Sequence, residues 1–238
     1  MKIFLDKPVL FLLAVSIRPV VWIFSCIRKT KKIEQPNSLK HGNNIMNQKA
    51  EQIIDVASRL FSEKGYKATS LRDIGNYSAL HKSSLFNYFA NKEEILMAVM
   101  DKSLNKHMNI LNEIANDNSL GGIEKFKLAL EKQILVTCKY RDHINVYLTE
   151  IMSLSPANRE KYNKKRKEYE SCFEKIVKEA QADDRSGLIK GLDPKIVKLG
   201  VLGMCNWMIK WYHDNGVLGP VEIFEVFYRL LTHRKTDE

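Results

Sequence analysis

Residues 69–94 read TSLRDIGNYSALHKSSLFNYFANKEE, and the organisation of the chain can be worked out from them. Ser70 stands three residues before Asp73, which is the spacing of a capping box at the start of a helix. A tight break at residues 78–80 ends that helix, and a second short helix is predicted over residues 82–89. The two glutamates at the end are typical of the first turn of a further, longer helix.

A helix before this segment completes the pattern. Ile53, Ala57, Leu60 and Phe61 are spaced at i, i+4, i+7 and i+8, so they share one helical face. Gly65 follows as a C-terminal cap. A helix that braces two short helices around a tight turn is the helix-turn-helix arrangement, in which the second short helix enters the major groove of DNA.

The polar face of the predicted helix at residues 82–89 holds the candidate base contacts. Leu85 and Phe89 would anchor this helix to the core. A lysine there can donate to guanine, and an asparagine can pair with adenine. Three helices with a polar third helix also occur in proteins that do not bind DNA, so both interpretations stay open on pattern alone. The residues on this face are Lys82, Ser83, Ser84, Asn87 and Tyr88.

The formal charge of +10 does not by itself locate a DNA site. It arises from 38 basic and 28 acidic residues, but residues 1–45 hold eight of the basic and only two of the acidic residues. Residues 46–101, which include the helix-turn-helix pattern, hold seven of each. DNA affinity must therefore come from the placement of charges, because the bulk charge of this region is zero.

An apolar run at residues 9–27 allows three interpretations. It is long enough for a bilayer span, which needs roughly 20 residues, but Arg18 and Pro19 lie in its middle. As a membrane anchor, followed by the basic cluster at residues 28–32, it would leave the rest of the chain in the cytoplasm. Translation from Met46 would remove the run altogether, and a disordered or packed extension is the third interpretation.

A set of residues between positions 57 and 96 carries a family resemblance. In order and spacing, these residues resemble the TetR/AcrR family of bacterial transcriptional regulators. The resemblance implies an all-α fold with a helix-turn-helix DNA-binding domain at residues 46–95 and a helical ligand-binding and dimerisation domain at residues 96–238, after an extension at residues 1–45. The matching residues are Ala57, Leu60-Phe61, Gly65-Tyr66, the run from Thr69 to Ile74, the run from Leu85 to Phe89, Lys92-Glu93 and Leu96.

The resemblance also implies specific DNA contacts. Thr69 and Ser70 would hold phosphates at the start of the second helix, and Lys92 would meet a phosphate at the start of the fourth. Phe86 stands where the family usually has tyrosine, which removes one phosphate hydrogen bond, and Tyr88 is a substitute for it. The predicted DNA-binding residues are Thr69, Ser70, Lys82, Ser83, Ser84, Phe86, Asn87, Tyr88 and Lys92.

Three residues near the turn depart from the family pattern. Gly75 replaces the usual alanine, and we expect it to weaken the second helix by about 0.5–1 kcal/mol. Ala79 replaces the usual glycine of the turn, so a slightly different turn is expected. His81 replaces the usual serine or threonine, and it could still reach a phosphate. These departures leave the DNA face in place but affect its exact base contacts.

The second half of the chain predicts five further helices. They cover approximately residues 123–140, 143–154 and 156–180, then one from Pro194 that is ended by Gly216 and one from Pro220 through Leu231. Asp193 before Pro194 is a helix-start pattern. Two amphipathic C-terminal helices are what a homodimer needs to build a four-helix interface.

Aromatic and basic residues in this half define a candidate ligand site. The string from Gly203 to Tyr212 resembles a TetR subgroup whose studied members regulate fatty-acid or steroid breakdown and bind acyl-CoA thioesters. This implies an apolar tunnel for an acyl chain, with arginines for the CoA phosphates. An aromatic stripe is also typical of a core, and the basic run on the helix from residue 156 is also typical of a solvated face. The predicted ligand-binding residues are Arg159, Arg166, Tyr169, Phe173, Asn206, Trp207 and Trp211.

No catalytic or metal-binding pattern accompanies these features. The four cysteines, Cys26, Cys138, Cys172 and Cys205, show no metal or redox spacing. We therefore predict no catalytic residue, metal or cofactor, and no enzyme. The prediction is a cytoplasmic, homodimeric regulator, a repressor by family, that binds double-stranded operator DNA and is released by a small apolar or acyl-CoA-type effector. The alternative is a membrane-tethered sensor-regulator anchored by residues 9–27.

Overall fold

The computed structural model of the chain describes residues 37–183 and 191–232, and within these ranges every regular element is a helix. The predicted all-α fold is confirmed. The apolar run at residues 9–27 and the basic cluster at residues 28–32 lie outside the described residues. Among the described helices, none is both long enough and apolar enough to cross a membrane.

Nine α-helices follow one another in the described part of the chain. The predicted short helix over residues 82–89 is shorter than expected: regular helix ends at Leu85, and the backbone turns on through Phe89, whose N–H donates to the Leu85 carbonyl at 3.0 Å. The helices are α1 (Asn37–Lys64), α2 (Leu71–Tyr77), α3 (Lys82–Leu85), α4 (Lys92–Ala115), α5 (Gly122–Lys139), α6 (Arg141–Glu150), α7 (Pro156–Ala182), α8 (Pro194–Trp211) and α9 (Pro220–Thr232), with a 3₁₀ turn at Ile151–Ser153.

The helix ends follow the local sequence patterns. Gly65 ends α1 with a φ of 86°, a left-handed conformation that glycine adopts without steric cost. Ser70 and Asp73 form the predicted capping box: the Ser70 N–H donates to Asp73 Oδ2 at 2.8 Å, and the Asp73 N–H donates to Ser70 Oγ at 3.1 Å. Asp193 caps α8, and Pro194 occupies its first turn.

The core of the helix-turn-helix module (residues 46–95) is built as the periodicity predicts. Ile53, Ala57, Leu60 and Phe61 are all buried in one cluster, and the buried residues of α2, α3 and α4 join the same cluster. Helix α4 runs without interruption through the predicted domain boundary at residues 95 and 96. The module and the second predicted domain (residues 96–238, called the effector domain below) therefore share one helix, so a shift of α4 moves both.

The effector domain is held together by contacts between distant helices. Phe126 of α5 and Phe173 of α7 are fully buried and meet edge to face, with ring centroids 6.4 Å apart. Lys125 is also buried, and its Nζ donates to Glu179 Oε2 at 2.8 Å and to the Ala115 carbonyl at 3.0 Å. A buried ammonium needs such partners, because an unpaired buried charge is strongly unfavourable.

Two carboxylates connect the module to the start of α7 and the end of α6. Glu93 Oε1 accepts from the Ser155 N–H at 2.7 Å and from Asn158 Nδ2 at 2.8 Å. These bonds lower the pKa of Glu93. Glu150 Oε1 accepts from the Tyr66 N–H at 3.0 Å. Each bond joins residues more than sixty positions apart in the chain, so together they set the orientation of the module.

Candidate DNA interface and effector cavity

The start of α2 presents Ser70 but not Thr69. Ser70 is exposed and its hydroxyl donates to Asp73 Oδ2 at 2.7 Å, which lowers the pKa of Asp73. Thr69 is fully buried, and its hydroxyl donates inward to the carbonyls of Gly65 at 2.9 Å and Leu60 at 3.3 Å. The predicted phosphate contact by the Thr69 side chain is therefore wrong: the hydroxyl closes the turn after α1.

Helix α3 and the turn after it present the predicted base-reading face. Lys82, Ser83 and Asn87 are exposed, and no residue of the described chain forms an ion pair with Lys82. Phe86 keeps 50% of its surface exposed, although it is a large apolar residue. Ser84 and Tyr88 are half-buried at the edge of this face. The face is thus open to a partner that carries hydrogen-bonding groups.

The turn between α2 and α3 shows why two departures from the family pattern occur together. Ala79 has a φ of 53°, the left-handed conformation that usually selects glycine. Leu80 then folds back, so that its N–H donates to the Gly75 carbonyl at 2.8 Å. A Cβ at Gly75 would lie 2.7 Å from the Leu80 carbonyl oxygen. Glycine at position 75 therefore makes room for this turn. The clash that a Cβ would make here outweighs the loss of helix propensity caused by glycine.

Lys92 lies at the first position of α4, above an aromatic ring. Its Nζ is 4.2 Å from the centroid of the Tyr66 ring, a cation–π geometry. Partial burial lowers the pKa of Lys92 and raises that of Tyr66. The Lys92 ammonium thus lies at the N-terminal end of α4, where the exposed N–H groups of a helix favour anions.

A cavity of about 250 Å³ lies inside the effector domain. Among the predicted ligand residues, Arg166, Tyr169 and Asn206 line it. Tyr169 is buried and its hydroxyl donates to Gln133 Oε1 at 2.8 Å, while desolvation raises its pKa. The full lining is Ser103, Leu104 and His107 from α4, Gln133 from α5, Ile144 and Tyr147 from α6, Tyr162, Arg166, Tyr169 and Glu170 from α7, and Leu199, Leu202, Gly203 and Asn206 from α8.

The other four predicted ligand residues lie elsewhere. Phe173 is fully buried against Phe126, so it is a core residue. Arg159 lines a separate surface groove along α7, two helical turns before Arg166, and it does not line the cavity. Trp207 and Trp211 are 65% and 42% exposed on the outer side of α8, and neither lines the cavity.

Sequence reasoning missed His107 and Gln133 as cavity residues. His107 lies in the buried stripe of α4 between Leu104 and Leu111, and Gln133 lies beside Leu130 in α5. A polar residue at a core-facing position of an amphipathic helix is the feature that could have revealed them, because buried polar groups require a partner.

An apolar face on α8 and α9 is left uncovered in the single chain. Seven large apolar side chains are exposed there, and neighbouring apolar side chains exposed together are typical of an interaction surface. Gly200 and Gly203 leave open space beside it, since a Cβ at either would meet nothing within 4 Å. The exposed residues are Ile196, Leu199, Trp207 and Trp211 of α8 and Val221, Val226 and Leu230 of α9.

Two family models match the chain, one on each domain. Residues 53–99 match the model for bacterial regulatory proteins of the tetR family. Residues 119–234 match the model for the tetracyclin repressor-like C-terminal domain. Both matched families are those of regulatory proteins and not of enzymes, as the sequence predicted.

Individual proteins similar to the chain are named as regulators. The uncharacterized HTH-type transcriptional regulator YerO of Bacillus subtilis (strain 168) is 30% identical over 165 residues, which are 66% of this chain and 53% of YerO. The match thus spans about half the length of that relative. The fatty acid metabolism regulator protein of the same strain is 26% identical over 156 residues, 64% of this chain and 77% of the relative.

A solved structure shows the same fold. The crystal structure of AibR in complex with isovaleryl coenzyme A and operator DNA has a TM-score of 0.67 and 24% identity, with coverage of 77% of this chain and 98% of AibR. With the capped α2, the exposed face of α3 and both family models in agreement, the chain belongs to the TetR family of bacterial regulatory proteins.

Proposed function

We propose that the chain is a ligand-responsive transcription regulator, a repressor, that binds operator DNA as a homodimer in the cytoplasm. The observation that carries this proposal is the exposed polar face of α3, held at a fixed angle by the capped α2 and the tight turn at Ala79. Lys82 and Asn87 are the residues for base contacts, since lysine donates to guanine and asparagine pairs with adenine. Ser70 and Lys92 are the residues for backbone phosphates.

Dimerisation supplies the second half of the interface. The uncovered apolar face on α8 and α9 suits a four-helix contact with a second copy of the chain. Two α3 helices would then lie about 34–36 Å apart and enter successive major grooves. A dimer also explains how a module without net charge can hold DNA, because two copies of the module double the number of contacts to the DNA.

Effector control follows from which helices surround the cavity. Leu104 and His107 belong to α4, whose first turn carries Lys92, and Ile144 and Tyr147 belong to α6, which ends at Glu150. A ligand that fits better when α4 and α6 are displaced would favour a spacing of the two modules that does not match DNA. The loss of operator affinity cannot exceed the difference in ligand affinity between the two states.

The class of effector is the finer part of the proposal. A fatty acid metabolism regulator among the relatives and isovaleryl coenzyme A bound to AibR support an acyl group in the cavity. A cavity of about 250 Å³ is smaller than most ligand pockets, which span roughly 300–1,000 Å³. The space suits a short acyl group or a molecule of similar size, and it does not suit a whole CoA thioester.

Selection of bound genomic DNA, followed by gel-shift titration, tests DNA binding. We expect Lys82→Ala and Asn87→Ala to weaken operator binding by about tenfold or more each, because a good base contact contributes about 1–3 kcal/mol. Lys161→Ala, which removes a lysine from the α7 surface groove, is the matched control and should bind as the parent does. If the Lys82 and Asn87 variants also bind as the parent does, α3 is not the recognition helix.

The oligomeric state tests the dimer. Leu230→Asp places a charge in the apolar face of α9 and should give a monomer in light scattering. Val217→Asp, at a fully exposed loop position, is the control and should leave the dimer intact. A dimer that persists in Leu230→Asp would place the interface elsewhere.

A further inference from the structure

We propose that the effector is a small hydroxylated carboxylic acid, whose hydroxyl donates to Nε2 of His107 and whose carboxylate meets Arg166. This inference rests on the proposed function, because it names the chemical class that the cavity of the regulator accepts. It differs from the acyl-CoA class in requiring a hydrogen-bond donor on the ligand and no nucleotide portion.

His107 lines the cavity, and one nitrogen of its ring has no hydrogen-bond partner in the described protein. Its Nδ1 lies 3.0 Å from the Ser103 carbonyl, and since a carbonyl can only accept, Nδ1 must carry the ring proton. Only 7% of His107 is exposed, and burial lowers its pKa to about 4, so the ring is neutral near pH 7. Nε2 is therefore an unprotonated acceptor. No group of the described protein donates to it, and the Gln133 backbone carbonyl, which also lies beside the ring, can only accept.

The surroundings of His107 do not provide that donor. The Tyr169 ring lies beside it, with centroids 5.7 Å apart, but the Tyr169 hydroxyl is committed to Gln133 Oε1. The hydroxyl of Ser103 is likewise turned to the Met100 carbonyl at 3.3 Å. A buried acceptor without a partner costs about 1–3 kcal/mol, so a ligand that donates to it gains the corresponding affinity.

Arg166 supplies the complementary charge at the more open side of the cavity. Its Nε donates to Glu170 Oε1 at 2.7 Å, and its guanidinium lies over the Tyr147 ring, 5.4 Å from the centroid. These two contacts fix the plane of the group but use only one of its three nitrogens. The two Nη atoms have no partner among the described residues, and a pair of parallel N–H donors is the geometry that recognises a carboxylate.

The rest of the lining limits the size and shape of the ligand. Leu104, Ile144 and Leu202 form apolar walls, and Tyr147 and Tyr162 add aromatic ones. Together with the volume of about 250 Å³, these walls admit a compact ring or a short chain between the hydroxyl and the carboxylate.

Matched acid pairs test this inference on the full chain without DNA. The pairs are 4-hydroxybenzoate with benzoate, 4-hydroxyphenylacetate with phenylacetate, and 6-hydroxyhexanoate with hexanoate, with isovaleryl coenzyme A as a separate probe. Affinities are measured by calorimetry and by the shift of the thermal midpoint. We expect at least one hydroxylated member to bind about tenfold tighter than its partner, because the pair differs by one hydrogen bond to a buried acceptor.

Variants assign the preference to the two residues. His107→Leu should reduce the hydroxyl preference to less than about twofold, and Arg166→Gln should weaken every acid by about tenfold or more. Arg159→Gln, outside the cavity, is the matched control and should bind as the parent does. If His107→Leu does not fold, ¹⁵N chemical shifts of the His107 ring in the parent provide the same information, since Nε2 shifts when a hydroxyl donates to it.

Three results would overturn the inference: no hydroxylated acid binds, the members of each pair bind equally, or the preference survives in His107→Leu. Tight binding of isovaleryl coenzyme A with none of the acids bound would replace the class by acyl-CoA thioesters. None of these outcomes depends on operator binding, so the DNA-binding proposal stands or fails separately, by gel shift.

Discussion

The helix-turn-helix module and the effector domain differ in the sequence distance over which their decisive contacts form. In the module, Ser70 and Asp73 cap a helix across three residues, and Gly75 and Leu80 shape the turn across five. In the effector domain, the bond from Tyr169 to Gln133 crosses 36 residues, and the cavity draws its lining from five helices. The module is therefore a local structure, whereas the effector site exists only after the helices have packed.

The difference explains how the two parts can change independently. A site made by short-range contacts keeps its shape as long as a few neighbouring residues are kept. A cavity between five helices changes with any substitution in its walls, so it can be adapted to a new ligand while the DNA-binding face stays as it is. The bonds of Glu93 and Glu150 are where the two parts remain connected.

The largest expected effect is a difference in the free energy of unfolding between two phenylalanine-to-alanine variants, one in each region. Phe173→Ala removes a fully buried ring from the effector domain and should lower the free energy of unfolding by about 3–5 kcal/mol. Phe86→Ala removes a half-exposed ring from the DNA face and should change it by less than about 0.5 kcal/mol. Urea unfolding measures both. A small effect at Phe173 would return this residue to the ligand site.

The next effect is a pH dependence that belongs to the effector domain. The pKa of His107 is about 4 in the folded chain, below the ordinary 6.5, so the unfolded chain takes up this proton first as the pH falls. The free energy of unfolding should therefore decrease by about 3 kcal/mol between pH 6.5 and pH 4. The His107→Leu variant should lack this part of the pH dependence. Burial also lowers the pKa of His143, but its contribution to the pH dependence is the same in both proteins. Equal slopes in calorimetry would contradict the buried neutral ring.

A smaller effect tests the turn of the module. Gly75→Ala should destabilise the chain by about 1–3 kcal/mol, although alanine favours helices, because its Cβ would lie 2.7 Å from the Leu80 carbonyl. Asn76→Ala, one position later and exposed, is the control and should be neutral or slightly stabilising. A stabilised Gly75→Ala would show that the turn adapts freely, and the module would then be less strictly local.

The smallest expected effect is at the other end of the same turn. Ala79→Gly relieves a left-handed conformation that costs roughly 1–2 kcal/mol for alanine, but it adds freedom to the unfolded chain worth about 0.4–1 kcal/mol. We expect a net gain of up to about 1 kcal/mol in thermal or urea unfolding. A loss of stability would mean that the Ala79 methyl makes a contact that outweighs the backbone strain.

Features that depend on short-range contacts were predicted from the sequence, and features that depend on packing between helices were not. The capping box at Ser70, the glycine cap at Gly65 and the start of α8 at Asp193 are confirmed, because each depends on residues within one helical turn. The end of α3 at Leu85 and the burial of the Thr69 hydroxyl were not predicted. Both depend on how the short helices pack against α1, which periodicity does not describe.

For the ligand site, sequence patterns selected residue types but not their partners. Arg166, Tyr169 and Asn206 do line one cavity, whereas Phe173, Trp207 and Trp211 face the core or the outer side of α8. Aromatic residues fill cores, cavities and interfaces alike, so composition and spacing alone could not assign them to one of these environments.

By itself, the amino-acid sequence determined the all-α class, the helix starts and the polar face of α3, since these depend on hydrogen bonds and periodicities within a few residues. Only the tertiary structure decided that His107, Gln133 and Arg166 share a cavity. Their side chains come together through the packing of α4, α5 and α7. The ring proton of His107 is placed by a carbonyl on its own helix, whereas the cavity that His107 lines is enclosed by four other helices as well.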